Sequence, residues 1–365
     1  MGEYILAPKR RKDWGVIWLS SSRKEDIRRV QLTGKSTYIV SLPKKWVDEV
    51  GIEKGDSLTV IPRNDKTLLL VPISVKRPEK PQEVVINLAP GEKVGSIIRK
   101  VVSHYLVGYS TIRLISRGDR ITSQQRRSIK DFVRRKLVGT EIISDSRDTV
   151  TLQVLLNYPE LSIQDALRRM YIISTSMHRD VITALKELNR DLTLEVVSID
   201  DEVDRFSFYI IRQLKSAVQD DNILKELGLN QPKDCLGFRL ITKSVERIAD
   251  HAVCIAQNIL RIETPIDEEI IAKFNHVSAY TINLFDDAIL SLYKQDYTLA
   301  DDVVERKTQL DQYEDDLLTL ISRNVSEEEA KASLRLVVES IRRTVEYTSD
   351  IAEIVLNLTI TKDTT

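Results

Sequence analysis

The pattern of hydrophobic and polar residues changes twice along the chain. From Arg28 to Ile73, short runs of Val, Ile, Thr and Leu are separated by Gly, Asn, Asp and Pro, which is typical of short strands joined by tight turns. Residues 83–158 alternate strand-like and helix-like runs, and they predict the order βαβαββ. From Pro159 onward, apolar residues at helical spacing predict six helices, at approximately 161–189, 192–219, 233–261, 266–295, 299–323 and 327–358.

These patterns predict a multidomain α+β protein. The strand-rich segment is close to the size at which a single domain struggles to bury enough core, so we expect it to pair with a second subunit in a homodimer. Two prolines and several charges at residues 75–82 indicate a linker. The predicted parts are a basic arm (1–27), a small β domain (28–74), an α/β domain (83–158) and two helical units (159–262 and 263–365).

Composition narrows the function classes. Charged residues make up 30% of the 365 positions, and no apolar stretch approaches the roughly 20 residues of a membrane span, so we expect a cytoplasmic protein that is not membrane-integral. Two cysteines, Cys235 and Cys254, fit no disulfide framework. Motifs for phosphate-binding loops, dinucleotide sites, nucleophile elbows and HExxH zinc sites are absent, and the four histidines are isolated in the sequence. An enzyme is therefore not expected.

Charge is separated along the chain although the net charge is only −1. Residues 1–80 carry 17 Lys and Arg against 10 Asp and Glu, residues 81–158 carry 13 against 7, and residues 159–365 carry 24 against 38. We expect the basic part to face polyanions and the acidic part to face cations.

The densest basic segment is residues 8–46, with 11 Lys and Arg against three acidic residues. Clustering of this density supplies the counterion release that drives DNA affinity. The candidate DNA-contacting residues are Arg28, Arg29, Lys35, Lys44 and Lys45. The first three lie on the strand and turn that open the β domain, and we expect them to supply sequence preference. A solvated basic face is the alternative interpretation.

The helical half contains an internal two-fold repeat. At an offset of 100 residues the third predicted helix aligns with the sixth, so that Glu246 and Asp250 each fall on a carboxylate of the same type. At an offset of 107 the first two helices align with the fourth and fifth, and Asp204 falls on Asp311. The acidic half is therefore predicted to consist of two related three-helix units.

Pairs of carboxylates four residues apart recur in this repeat. Asp200 with Asp204, and Glu246 with Asp250, each lie on one face of a helix, with Cβ atoms roughly 6 Å apart. Because like charges repel, four such groups between packed helices are costly without a cation. Oxygen-only ligation favours Mg²⁺, Ca²⁺, Mn²⁺ or iron over Zn²⁺ and Cu²⁺. These four residues are predicted to hold a divalent or iron-type metal ion.

The second copy keeps Asp311, Glu346 and Asp350 but has Lys307 where the first copy has Asp200. An ammonium group can neutralise part of that cluster, so we expect this second metal site to be weak. In the alternative interpretation, the carboxylates of both copies lie on a solvated face and pair with arginines. The arginines available for such pairs are Arg205, Arg247, Arg342 and Arg343.

The acidic half resembles the PhoU family of phosphate-homeostasis regulators. The segment VERIADHAVCIAQNI is similar to the family's ERIGDHAxNI signature, and E(D)xxxD motifs occur at 200–204, 246–250 and 346–350. The resemblance implies two tandem three-helix bundles whose motifs bind metal clusters in some members. Ala249 stands where the family usually has glycine, and Lys307 departs from its motif in the second copy.

The segment LTGKSTYIVSLPKKWVDEVGIEKGDSLTVI resembles a SpoVT/AbrB-type swapped-hairpin domain. Its LPKxW…GI..GD pattern is similar to that family's turn between hairpins. The resemblance implies that two chains intertwine into one β-barrel and present basic residues to DNA. A chain with both kinds of domain resembles archaeal PhoU-type transcriptional regulators, whereas the middle segment matches no family we can name.

These resemblances imply a DNA-binding regulator of phosphate uptake whose PhoU-like module binds metal and senses or relays phosphate status. The rival is an adaptor that does not bind DNA, docks on a phosphate transporter or sensor kinase, and uses the barrel only to dimerise. Metal storage or redox chemistry at the carboxylates is a third possibility. The operator, the metal, the effector and the role of residues 83–158 stay open.

Overall fold

The computed structural model describes residues 26–34, 36–62, 66–73, 83–117, 120–155 and 161–360. Lys35 and nearly all of the predicted basic arm lie outside the described residues. The chain divides into two compact units, Met1–Glu79 and Lys80–Thr365, which we call the N-terminal unit and the C-terminal unit.

The N-terminal unit contains two separate antiparallel hairpins. Strand β1 (Gln31–Thr33) pairs with β2 (Thr37–Ile39), and β3 (Leu58–Pro62) pairs with β4 (Leu68–Pro72). Helix α1 (Lys44–Val50) lies between the hairpins in sequence. Within the described residues these sheets do not close into a barrel. The predicted strands are confirmed, while the swapped-hairpin barrel, which needs two chains, stays a prediction.

Glycine and aspartate define the turns that follow α1. Gly51 ends the helix with φ 73°, and its N–H donates to the carbonyl oxygen of Val47 at 2.9 Å. Gly55 has φ 106°, and the next residue, Asp56, accepts a hydrogen bond from the N–H of Glu53 at 2.8 Å. A side chain with a Cβ would be strained at either glycine, which explains the GI..GD pattern in the sequence.

The described residues of the N-terminal unit bury almost none of their apolar side chains. Among the residues described between 26 and 73, only Pro72 is buried. Ile27 is 91% exposed, Tyr38 73% and Ile73 69%. Further exposed apolar residues are Val30, Leu32, Ile39, Val40, Val60, Leu68 and Leu69. Apolar surface of this extent is costly in water.

The C-terminal unit begins with a four-stranded mixed sheet and two helices that share its core, which we call the middle domain. The sheet has the strand order β5-β6-β8-β7, in which β5 and β6 are parallel and the other neighbours are antiparallel. The predicted order βαβαββ is therefore confirmed. Its elements are β5 (Glu83–Leu88), α2 (Val94–Val107), β6 (Thr111–Ser116), α3 (Ser123–Lys136), β7 (Thr140–Asp145) and β8 (Thr149–Val154).

All of the regular elements in the described residues from 161 to 360 are helices, as the apolar spacing predicts. A short additional helix follows the second predicted one, and the fifth predicted helix is divided at Lys307 and Thr308. None of the described helices combines the length and apolarity that a membrane crossing requires. The helices are α4 (Ile163–Glu187), α5 (Arg190–Ala217), α6 (Asp221–Glu226), α7 (Asp234–Ile259), α8 (Glu268–Lys294), α9 (Tyr297–Arg306), α10 (Gln309–Asn324) and α11 (Glu328–Ile360).

These helices pack as two three-helix bundles, one for each sequence repeat. In the first repeat α4, α5 and α7 contact one another, and in the second α8, the α9–α10 pair and α11 do so. The repeats meet mainly through α7 and α11, the two helices that align at an offset of 100. One apolar core runs through both bundles and includes the fully buried rings of Tyr209 and Phe274. The predicted tandem three-helix architecture is confirmed.

The middle domain packs against α5 through α2 and α3. Arg212 of α5 is buried and donates hydrogen bonds to the carbonyl oxygens of Tyr105 and Gly108, where α2 ends. Its guanidinium carbon also lies 4.9 Å from the ring centroid of Tyr105. The last carbonyls of a helix lack intrahelical donors and carry partial negative charge, so a buried arginine there is well placed. Arg212 therefore fixes the middle domain to the first helical repeat.

Arg212→Met is expected to lower the free energy of unfolding of the C-terminal unit by about 2–4 kcal/mol, because it removes the two hydrogen bonds from the buried guanidinium to the carbonyl oxygens of Tyr105 and Gly108. Urea denaturation followed by circular dichroism measures this loss. Lys215→Met, at an exposed position of the same helix, is the control and should change stability by less than about 0.5 kcal/mol. Equal midpoints for the two variants would contradict the proposed role of Arg212.

Candidate functional site

Four carboxylates lie where α5 and α7 pack together in the first repeat. Asp200 and Asp204 are on α5, and Glu246 and Asp250 are on α7. The first three are partly buried, whereas Asp250 is exposed. We call these four side chains the first-repeat cluster.

The charges of these carboxylates act on one another. Burial, together with the charges of Asp204 and Asp250, raises the pKa of Asp200 to about 7. Desolvation also raises the pKa of Glu246 and of Asp250, and the neighbouring carboxylates add to both shifts. Like charges shift each other's pKa in this way only when they lie close together. The structure thus brings together the four residues that the spacing singles out.

One oxygen of the first-repeat cluster lacks a hydrogen-bond donor. Oδ1 of Asp200 is buried and accepts no hydrogen bond from any described residue. A buried acceptor without a donor costs about 1–3 kcal/mol, and more when it is charged. A cation bound at the cluster would remove this cost, so Asp200 fits the role of a metal ligand.

Two lysines also lie at the cluster. Nζ of Lys136 is 2.6 Å from Oδ2 of Asp204 and 2.7 Å from Oδ1 of Asp201, and Lys243 donates to Glu246. With the side chains placed in this way, no three carboxylate, histidine or cysteine groups in the described part of the chain converge as metal ligands. The four carboxylates nevertheless outnumber the two ammonium groups, so the cluster keeps a negative charge that suits a divalent cation.

The donor chemistry fits a hard cation. All four groups are carboxylates, which Mg²⁺, Ca²⁺, Mn²⁺ and iron accept as ligands. His251, the residue after Asp250, points instead toward the second repeat, where its ring centroid lies 5.7 Å from that of Tyr347 at an interplanar angle of 30°. The residues that would hold a metal ion are therefore the oxygen-only set of the first-repeat cluster.

The corresponding glutamate of the second repeat is paired with arginine. Oε1 of Glu346 accepts a hydrogen bond from Arg342 at 2.5 Å, and Oε2 accepts one from Arg343 at 2.7 Å. The other predicted members of this second site, Asp311 and Asp350, are exposed. The second repeat therefore has the arginine-paired arrangement that the sequence leaves open as the alternative.

Lys307 follows the last residue of α9, at the break before α10. Within the described residues it forms no ion pair with the carboxylates of the second repeat. Two arginines, and not Lys307, supply the positive charge beside Glu346. The weak metal binding expected for this second site stays a prediction, but its physical reason differs from the one that the sequence suggests.

Asp200→Asn is expected to stabilise the metal-free protein increasingly as the pH rises from about 4 to 7. The folded-state pKa of Asp200, about 7, lies above the usual value of 3.8, so the folded protein binds this proton more strongly than the unfolded chain does. The wild type therefore loses stability as the pH rises from about 4 to 7, whereas asparagine, which does not ionise, avoids this loss. Thermal melts in the presence of EDTA measure the difference between variant and wild type. Asp350→Asn is the control for the substitution, and a difference that does not change with pH would contradict the raised pKa.

The predicted DNA-contacting residues lie on the N-terminal unit. Those that the structure describes are Arg28, Arg29, Lys44 and Lys45, all exposed, whereas Lys35 lies outside the described residues. Nη2 of Arg28 is 2.6 Å from Oδ2 of Asp26, and Nζ of Lys45 is 3.8 Å from Oε1 of Glu49. Exposed ion pairs of this kind contribute little, so these side chains remain available to a polyanion.

Sequence reasoning misses Lys136 as a member of the acidic site. The residue belongs to the run Arg134-Arg135-Lys136 at the end of α3, 68 positions before its partner Asp204. Basic residues in the last turn of a helix are ordinary, because they complement the helix dipole. The run is visible in the sequence, but nothing in the sequence indicates which helix it meets.

Comparison with known proteins finds two families in the chain. A family model described as PhoU domain matches residues 167–259 and 274–355, one match in each helical repeat. A second model, described as antidote-toxin recognition MazE, bacterial antitoxin, matches residues 31–78. Together these matches cover the helical repeats and most of the N-terminal unit described above.

Individual relatives include the phosphate-specific transport system accessory protein PhoU homolog 1 of Thermotoga maritima, 24% identical over 188 residues that cover 51% of this chain and 78% of that protein. The phosphate transport system regulatory protein PhoU from Streptococcus pneumoniae is a solved structure with 15% identity and a TM-score of 0.46, covering 54% of this chain and 92% of its own. PhoU from Pseudomonas aeruginosa has 19% identity and a TM-score of 0.44, covering 55% and 96%. The two helical repeats are therefore PhoU domains, and the chain carries them in tandem behind an N-terminal MazE/AbrB-type domain.

Proposed function

We propose that the protein is a DNA-binding transcriptional regulator of phosphate uptake, in which the PhoU domains form a metal-binding sensor or relay module. The observation that carries this proposal is the combination of a MazE/AbrB-type domain and two PhoU domains in one chain. The names of the relatives connect PhoU proteins with phosphate transport. The proposed activity is regulation in the cytoplasm, not catalysis.

DNA binding is assigned to the N-terminal unit because positive charge and exposure occur there together. Residues 8–46 carry 11 basic against three acidic residues, and the basic side chains that the structure describes at the candidate positions are exposed. Release of counterions from DNA favours binding by such a surface, and a dimer doubles the number of phosphate contacts. The MazE-type match over residues 31–78 supports the same assignment.

A homodimer accounts for the exposed apolar side chains of this unit. An isolated two-stranded hairpin is marginally stable in water, and each hairpin here has unpaired edges. A second copy of the unit would pair those edges and cover residues such as Tyr38 and Leu68. The proposed form is the swapped-hairpin barrel, completed by two chains.

Leu68→Asp is expected to convert the dimer into a monomer, because it places a charge in the apolar face that the second copy would cover. Sedimentation velocity of the full chain at low micromolar concentration measures the change. Leu290→Asp is the matched control, since Leu290 is an exposed leucine of α8 and lies outside the proposed interface. A wild-type chain that sediments as a folded monomer at this concentration would contradict the proposed dimer.

Metal binding is assigned to the first-repeat cluster. A bound ion would supply positive charge between α5 and α7, where four carboxylates repel one another. The acceptor of Asp200 that lacks a donor, and the surplus of carboxylates over lysines, support this assignment. Carboxylate ligands suit Mg²⁺, Ca²⁺, Mn²⁺ or iron, and the choice among them stays open.

A second candidate function is that of an adaptor. The relatives from Thermotoga and Streptococcus are named as parts of phosphate transport systems, which favours a role beside a transporter. In this version the PhoU domains dock on a phosphate transporter or a sensor kinase. The N-terminal unit then serves only to join two chains.

Replacing residues 1–79 by an unrelated dimeric coiled coil separates the two candidates, because the boundary at Glu79 leaves the C-terminal unit whole. If the N-terminal unit binds DNA, cells with the replaced chain lose phosphate-dependent transcription of phosphate-uptake genes even though the chain still dimerises. The same coiled coil fused ahead of the complete chain is the control. Normal phosphate-dependent transcription with the replaced chain would overturn the DNA-binding proposal in favour of the adaptor.

A further inference from the structure

The middle domain contributes a lysine to the acidic surface of the first PhoU domain. Helix α3 begins at a capping box formed by Thr122 and Gln125 and ends beside α5, with Arg135 and Lys136 in its last turn. Nζ of Lys136 lies 2.6 Å from Asp204 and 2.7 Å from Asp201. This lysine connects two domains that the sequence gives no reason to connect.

The Lys136 side chain is held tightly in this position. It is 19% exposed, its partner Asp204 is 18% exposed, and Nη1 of Arg135 adds a contact of 3.1 Å to Asp201. Hydrogen bonds between ammonium and carboxylate groups are among the stronger ones in proteins. Lys243, the other lysine at the cluster, is 47% exposed and lies on the same helix as its partner, so it can turn away into water without moving a domain.

Lys136 and a metal ion would need the same oxygen atoms. Asp204 is one of the four residues that would hold a metal ion, and its Oδ2 already accepts a hydrogen bond from Lys136. A divalent cation at Asp204 would repel the neighbouring ammonium group. Both cations therefore stabilise the same cluster, and each opposes the binding of the other.

We propose that Lys136 is the built-in cation of the first-repeat cluster and that a divalent metal ion binds there only in competition with it. This inference rests on the metal site of the proposed function. It adds that the end of α3 responds when the metal ion binds. Metal binding releases Lys136 and loosens the end of α3 from α5, while Arg212 keeps α2 attached. Because the two events are thermodynamically linked, the factor by which metal binding weakens the contact between α3 and α5 equals the factor by which loss of that contact strengthens metal binding.

Mn²⁺ titrations of full-length wild type and Lys136→Met, followed by the paramagnetic resonance of free Mn²⁺, test this competition. The variant should bind Mn²⁺ more tightly by about tenfold or more, within the range of typical coupling between sites. Lys130→Met is the control, because Lys130 lies on the same helix but pairs with Asp145 inside the middle domain. Equal affinities of wild type and Lys136→Met would overturn the competition and leave the metal site standing. If neither protein binds Mn²⁺, the competition and the metal site both fail.

Hydrogen–deuterium exchange of the wild-type protein supplies a readout that needs no substitution. Saturating Mn²⁺ should increase exchange of the backbone amides near residues 133–138, at the end of α3, and leave the amides around Gly108 unchanged. An increase confined to the end of α3 supports release of Lys136. Unchanged exchange there in protein that has bound Mn²⁺ would overturn the inference.

Discussion

Replacing Asp204 and Asp250 together by asparagine is expected to abolish most divalent metal binding by the purified protein. The double variant removes one carboxylate from α5 and one from α7, so neither helix keeps its i,i+4 pair. The affinity for Mn²⁺ should fall by more than about 100-fold, since changes to residues that merely support metal ligands already cost about 10–100-fold. Elemental analysis after equilibrium dialysis measures the bound metal.

The same two substitutions at the aligned positions of the second repeat provide a matched control. Asp311→Asn with Asp350→Asn removes the same charge from the other bundle, where both side chains are exposed and Glu346 is paired with two arginines. This control should bind as much metal as the wild type. If the first-repeat variant also bound as much metal as the wild type, the alternative interpretation would hold, in which these carboxylates lie on a solvated face and pair with basic residues.

Substituting Arg28, Arg29 and Lys35 by alanine is expected to weaken DNA binding strongly and to flatten its dependence on salt. Each phosphate contact contributes about 0.9 to the slope of log K against log salt concentration, so three residues in each chain of a dimer account for a slope change of up to about 5. The affinity at physiological salt should fall by more than about tenfold. Fluorescence anisotropy at several salt concentrations gives both quantities.

Three exposed lysines of the first helical repeat serve as the matched control for charge. They are Lys186, Lys215 and Lys225. Their replacement by alanine removes the same formal charge but should leave the salt slope unchanged, because they lie outside the N-terminal unit. A wild-type affinity and slope for the Arg28, Arg29 and Lys35 variant would show that DNA is contacted elsewhere.

The helical repeats could be predicted from sequence because amphipathic periodicity over many turns is a strong local signal. The division of the fifth helix could not. The hydroxyl of Tyr280 donates to the carbonyl oxygen of Arg306. The N–H of Leu310 donates to the carbonyl oxygen of Lys307, three residues earlier, instead of to a carbonyl four residues earlier as in an α-helix. A side chain on another helix therefore takes part in this break, and no pattern near Arg306 indicates it.

The candidate metal site could also be predicted only in part, because some of its features are local in sequence and others depend on distant contacts. The positions of Asp200, Asp204, Glu246 and Asp250 follow from helical spacing and from the repeat, both of which are visible in one sequence. The approach of Lys136 depends on how α3 packs against α5, and packing between domains leaves no periodic trace in sequence. The arginines beside Glu346 lie in its own helix and were available to sequence reasoning as the alternative.

The swapped-hairpin barrel marks another limit. The short strands and turns of the N-terminal unit follow from local residue types, as the glycines at positive φ illustrate. A barrel made by two chains depends instead on contacts between copies. Within the described part of the chain, exposed apolar residues such as Ile27 and Tyr38 support the proposed second copy.

The most direct test of the proposed regulator is an equilibrium titration of the full-length protein on two DNA duplexes at physiological salt. One duplex comes from upstream of the phosphate-uptake genes, and the other is a shuffled sequence of the same length and composition. We expect the upstream duplex to be bound at least about 10³-fold more tightly, as is usual for specific recognition. Equal affinity for both duplexes, or binding to neither, would contradict the regulator that we propose.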